Sequence, residues 1–234
     1  MGLAAPYFFV KLDDAFDRVV ASGMDALRWP HVTLAENLCR RLADVDYHAS
    51  QVRAVAYPPQ HPFSNVQAST SLVACFGACK GVLDAVAITL AELYALRTSD
   101  KGSLRPLTWK EQDFTKGRFW TALQKTRPEL YLRYAPFRRE RNAHVRDMIE
   151  WRDLAIHRVA PIVMIPMGRH LHDPAPPSPL GVLRDQSTDL HSWFQDHSRE
   201  KSQDIVHPLY FYDLWRPTLV DLSRVMCEDV AAAL

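Results

Sequence analysis

Residues 71–93, SLVACFGACKGVLDAVAITLAEL, leave the chain the fewest choices. The run is long enough to span a bilayer. Lys80, Asp84 and Glu92 fall inside it, and ionisable groups at that depth are costly in lipid. The stretch therefore reads as the buried central helix of a soluble protein, around which other helices must pack. Leu72, Phe76, Cys79, Leu83, Val86, Leu90 and Tyr94 recur at spacing three to four and form its stripe. Ala74, Gly77, Ala78, Gly81 and Ala85 form a strip of small side chains beside it. Each mid-helix glycine costs about 1 kcal/mol relative to alanine, so close approach by a neighbour is expected to compensate. With Ser64-Asn65 as its cap, this helix is predicted to run from 64 to about 97.

The other segments read as partners for that helix. A short strand over 5–12 and a helix over 13–28, stopped by Pro30, come first. A helix over 33–57 follows, with Leu34, Leu38, Leu42 and Val45 on one face. Residues 58–63 are a proline break and 98–106 a loop. A helix over 109–127 is stopped by Pro128, and another over 128–158 is kinked at Pro136 and ends before Pro161. Beyond it, 161–167 and 207–215 read as strands and 172–181 as a proline-rich loop. A closing helix spans 217–234 with Pro217 in its first turn. The expectation is a mainly α, single-domain chain over 1–234. Its helical core covers about 64–160, the helices of 13–57 pack on that core, and a small strand-bearing appendage covers 161–234. Hydrophobic content of 47% with 24% charged residues suits such a soluble globular protein.

Four cysteines, at 39, 75, 79 and 227, are too sparse for a disulfide framework and read as free thiols in a reducing cytoplasm. The opening MGLAAPYFFVKLDD lacks a basic n-region and does not read as a signal peptide. The net charge of +1 hides an asymmetry. Residues 105–146 hold 11 Lys/Arg against 4 Asp/Glu, and 185–234 hold 4 against 9. The basic region suits a polyanion, or equally the protein's own acidic tail or that of a second subunit.

The candidate chemistry sits in EWRDLAIHR, residues 150–158. Arg-x4–6-His spacing carries little by itself. Among 21 Arg and 10 His, Arg41 with His48, Arg138 or Arg139 with His144, and Arg184 with His191 match it too. Context selects Arg152 and His157. Arg152 falls on the apolar side of its helix with Val145, Met148, Ile149 and Ile156, where an arginine needs a partner, a groove or an interface. His157 stands four residues before Pro161, where a loosening last turn would let it swing. Positions five apart on a regular helix point about 140° apart. Either that loosening or a symmetric dimer would be needed to bring the two together. The basic segment nearby carries Trp109, Phe114, Phe119, Trp120, Tyr131, Tyr134 and Phe137. That mixture suits single-stranded nucleic acid, although most of those rings should be core.

Metal-free RNA cleavage fits these residues. His157 would move the proton of a 2′-hydroxyl or of the leaving 5′-oxygen. Arg152 would clamp the phosphate, and Asp153 would orient the pair. The plainer reading is a histidine favoured by the helix dipole and an arginine bridging to Asp84 or Glu150.

On the long helix, FWTALQKTRPELY and WRDLAIHRVAP, roughly residues 64–160, the chain resembles the HEPN superfamily, the higher-eukaryote and prokaryote nucleotide-binding domains. Many members carry Arg, a polar residue and, a few positions on, His; here these are Arg152, Asp153 and His157. The resemblance implies a helical bundle that dimerises through the motif helices. It also implies a metal-independent endoribonuclease of the toxin–antitoxin and phage-defence kind, with a cognate antitoxin or other partner protein. Arg141, His144, Arg146 and Arg158 are the expected nucleic-acid contacts. Non-catalytic members imply the alternative, a module that binds a protein or nucleic acid. No cofactor, metal or membrane association is expected. On a strand His170 and His172 would share a face, with Asp173 next in sequence, but no third strong ligand is near and the set is a weak metal candidate. Gly-rich phosphate loops, Gly-x-Ser-x-Gly and His-Glu-x2-His are absent, which argues against dinucleotide and ATP chemistry.

Overall fold

A computed structural model describes residues 29–56, 64–100, 102–157, 163–164, 181–183, 205–206 and 209–233. The expected strand over 5–12, the helix over 13–28, the break at 58–63 and, apart from Gly181, the loop over 172–181 lie outside them. The protein is mainly helical. In chain order the elements are α1 (Trp29–Ala56), α2 (Ser64–Leu93), β1 (Arg97–Asp100), β2 (Ser103–Pro106), α3 (Gly117–Thr126), α4 (Pro128–Tyr134), a 3-10 turn (Ala135–Phe137), α5 (Ala143–His157), β3 (Val163–Met164), β4 (Gly181–Leu183), β5 (Ile205–Val206) and α6 (Tyr210–Ala233). Two compact units divide the chain. One comprises Met1–Ala43, Ala78–Ile149 and Trp215–Leu234, and the other Asp44–Gly77 and Glu150–Leu214.

In the first unit, α2 runs through the core. Cys79, Leu83, Val86 and Leu90 of the expected stripe are all buried. Val66–Leu93 is long and apolar enough to cross a membrane by length and composition, yet most of its most apolar window is covered by protein. Lys80, 8% exposed, is neutralised by Asp84 and by Asp113, whose Oδ1 lies 3.0 Å from its Nζ. Burial raises Asp84, against the pull of Lys80. At Asp113 burial also raises the carboxyl, but the Thr115 N–H and hydroxyl and Lys80 outweigh it, and the group ends below its usual value. A buried lysine is tolerable here because its charge is paired and hydrogen-bonded.

Helix α2 stops at Leu93, earlier than its periodicity implies. Ala95 takes a left-handed backbone (φ +46°). Leu96 N–H then donates to Ala91 O (2.9 Å) and Ala95 N–H to Glu92 O (3.3 Å), a Schellman closure that uses alanine where glycine is usual. Residues 97–106 form an antiparallel hairpin and not a plain loop, with Asp100 opposite Ser103 and Gly102 at φ +83° in the turn.

The helix expected over 109–127 begins only at Gly117. Two carboxylates hold residues 108–116 in turns. Glu111 accepts from Thr108 N–H (2.9 Å) and Thr108 hydroxyl (3.0 Å), from two Arg105 nitrogens (2.7 and 2.9 Å) and from Arg118 (2.6 Å). Asp113 accepts from Thr115 N–H and hydroxyl, both at 2.8 Å. Such local side-chain bonds compete with helix hydrogen bonding. The helix expected over 128–158 is broken, not kinked. Pro136 lies in the 3-10 turn, and a new helix starts after Asn142, whose Oδ1 caps the Val145 N–H at 3.1 Å.

The acidic tail meets the basic segment inside this unit. Arg133 pairs with Glu228 and Asp229, both at 2.7 Å, and Tyr134 donates to Asp229 at 2.7 Å. Burial raises Asp229 and, together with Asp229 itself, raises Tyr134. The strand expected over 207–215 is helical from Tyr210, and Pro217 lies inside α6 instead of opening it. Phe211, Trp215, Leu219, Leu222, Met226 and Val230, spaced three or four apart, are all buried. That burial outweighs the roughly 3 kcal/mol a mid-helix proline costs. Pro30, similarly, sits in the first turn of α1, where its missing N–H costs nothing.

The second unit packs Phe76, Trp151 and Phe211 as an aromatic triangle, with ring centroids 5.8, 5.5 and 4.4 Å apart. Val45, Ala49 and Val52 of α1 are buried in it, and Tyr212 donates to Asp46 at 2.9 Å. Strands β3, β4 and β5 form a small antiparallel sheet with β4 in the centre. The expected strand over 161–167 is there as the short β3. The four cysteines are free thiols, and burial pushes Cys227 up to about 12.

Candidate functional site

Helix α5 carries the candidate residues. Its Asn142 cap fixes the start, and buried Val145, Met148, Ile149 and Trp151 fix which side faces inward. Arg152 follows directly on that buried side. Its side chain is only 31% exposed, and Nη1 donates to Asp153 Oδ1 at 2.8 Å. Its Nε is buried and makes no hydrogen bond. A guanidinium N–H left so costs desolvation without return. Asp153 is half in solvent, so the neighbouring carboxylate holds one edge of the guanidinium and leaves the Nε edge unused. The partners considered for Arg152 are otherwise engaged: Asp84 is bonded to Lys80, and Glu150 has interactions of its own. Ile156, expected on the buried stripe, is 47% exposed.

Helix α5 continues through His157, whose side chain lies outside the described residues. Positions 152 and 157 therefore belong to one regular helix and stand about 140° apart around it. Among the described residues, which end at His157 here, the backbone shows no loosened turn that would bring them together within a chain.

Of the expected nucleic-acid contacts, Arg141 and Arg146 are exposed. His144 is half-buried, with Nδ1 3.1 Å from the Thr218 hydroxyl. Arg158 lies outside the described residues, as do His170, His172 and Asp173. Among the described residues no group of His, Cys, Asp and Glu is arranged to hold a metal.

The aromatic side chains of the basic segment are mostly interior. Phe114, Phe119, Trp120 and Tyr134 are buried, and Tyr131 and Phe137 half-buried. Arg138 lies over both Trp120 and Tyr131, 5.3 and 5.9 Å from the ring centroids, and donates to the Tyr131 hydroxyl at 2.9 Å. Trp109 alone of the seven is largely exposed, at 78%.

Sequence reasoning missed the Glu111 clasp and the Arg133–Tyr134–Asp229 group. The first joins residues close in the chain through side-chain chemistry that no periodicity reports. The second joins positions 95 apart. The opposite charges of 105–146 and 185–234 were its one visible signal.

No family model matches the chain, and no curated protein or solved structure matches it either.

Proposed function

We propose that the protein is a HEPN-like helical homodimer that cleaves RNA without a metal ion, through Arg152 and His157. The observation that carries this reading is the part-exposed guanidinium of Arg152 beside the buried side of α5, with one nitrogen held by Asp153. Nε is closed to solvent, so a phosphate would be met by the two terminal nitrogens of the part-exposed fork. Negative charge growing on the phosphate in the transition state would strengthen both bonds. His157 would take the 2′-hydroxyl proton or return one to the 5′-oxygen. Because positions 152 and 157 diverge on one helix, Arg152 of one chain would work with His157 of a second copy.

A second reading is a non-catalytic HEPN-like module that binds a partner protein. Exposed Ile156, beside Arg152 on α5, favours it, since an apolar residue next to an unsatisfied donor suits a protein interface.

The test is incubation with single-stranded RNA in chelator, comparing the native chain with Arg152→Ala and His157→Ala. Cleavage lost in both folded variants is the expected result. Cleavage untouched by His157→Ala would place the chemistry elsewhere, and no cleavage of varied RNAs would favour the partner-binding module.

A further inference from the structure

We propose that the turn Thr108–Glu111 presents Trp109 and Lys110 as a stacking platform for one base of a single-stranded RNA. The choice of RNA as ligand rests on the function proposed above.

The turn is rigid. Glu111 N–H donates to Thr108 O at 2.8 Å and Gln112 N–H to the same oxygen at 3.0 Å, so Trp109 and Lys110 occupy the two central positions. The Glu111 carboxylate locks the turn from beneath through Thr108, Arg105 and Arg118. Neither central side chain takes part in that lock. Trp109 is 78% exposed, and Lys110 Nζ stands 5.3 Å from its ring centroid. A single exposed apolar residue is ordinary. A tryptophan held out on a turn fixed by a carboxylate and two arginines, with a cation at its ring, is a preorganised surface.

Charge decides what fits it. The segment 105–146 carries 11 cationic against 4 anionic residues. Two of those four anions, Glu111 and Asp113, lie in the clasps. Lys110 and Lys116 remain exposed on either side of the clasp. A π-face with exposed lysines beside it matches a nucleobase and its phosphates, whereas an apolar partner would leave those lysines facing it. The other six aromatic residues of the segment are wholly or partly interior, so this surface offers one ring and takes one base.

The test is fluorescence anisotropy of a labelled 2′-O-methyl oligouridine, which lacks the nucleophile for cleavage, titrated with the full chain. Trp109→Ala is expected to weaken binding ~5- to 100-fold, the range of one lost base stack, while Trp109→Phe keeps most of the affinity. Lys110→Ala is expected to flatten the salt dependence. Equal affinity of native chain and Trp109→Ala would overturn the platform. So would absence of binding by the native chain, or Trp109-dependent binding to anionic vesicles in place of RNA. Trp109-dependent binding without cleavage of ordinary RNA would refute the nuclease and leave the platform standing. Cleavage with Trp109-independent binding would refute the platform alone.

Discussion

Ala95 closes α2 in a left-handed backbone that costs an L-residue with a Cβ about 1 kcal/mol and costs glycine little. The neighbouring hydrogen bonds and buried Leu96 hold it there. Ala95→Gly is therefore expected to stabilise the protein by up to about 0.5 kcal/mol, after the extra freedom glycine gives the unfolded chain, as a slightly higher urea midpoint. The two glycines of α2 separate in the same way. A Cβ at Gly81 would stand 3.3 Å from Arg41 Cδ, so a neighbour does approach, though as a flexible arginine stem. A Cβ at Gly77 would meet nothing within 4 Å. The compensation expected at both glycines exists at one. Gly77→Ala should raise stability by about 1 kcal/mol and Gly81→Ala by less. A loss at Gly77 in the same urea titration would mean that something outside the described residues covers it.

Between elements, the Glu111 clasp replaces a turn of helix, and its energetics are readable in acid. Hydrogen bonds from Arg105, then from the Thr108 N–H and Arg118, hold the Glu111 carboxyl well below its usual value. A group depressed in the folded state adds stability in full above its unfolded pKa, about 4.3, and loses it as pH falls towards the folded value. Burial raises Asp84 and Asp229, whose protonation in mild acid instead favours the folded chain. Glu111→Gln should therefore melt below the native protein at pH 7, with the gap narrowing below about pH 4. An equal gap at both ends would mean the clasp is not held by charge. This clasp also marks where the sequence stopped being legible. The stripe of α2 was readable because its apolar residues repeat, and Leu38, Leu42 and Val45 of α1 for the same reason. Residues 109–116 share that spacing through Phe114, yet Glu111 and Asp113 bind the local backbone instead. The aromatic run 210–215 read as strand by residue type, but burying Phe211 and Trp215 on one side required a helix. At the site, Arg152 on a mainly apolar side was legible, whereas its orphaned Nε depends on packing that no spacing encodes.

At the scale of the whole molecule, the regular course of α5 through His157 turns the proposed chemistry into a question of chain number. A site built from Arg152 of one copy and His157 of another makes each single variant inactive for a different reason. Mixing Arg152→Ala chains with His157→Ala chains, after denaturation and refolding together, would form mixed dimers. In each mixed dimer one site would hold both native residues and the other neither. Random pairing makes half of the dimers mixed, and half of their sites intact. Cleavage should return to about a quarter of the native rate, although neither variant alone cleaves. If both residues acted from one chain, every site in the mixture would lack one of them and no activity would return. Activity in the mixture above the sum of the separate variants therefore locates the site between copies, and its absence, with mixed dimers demonstrated by mass, places it within one.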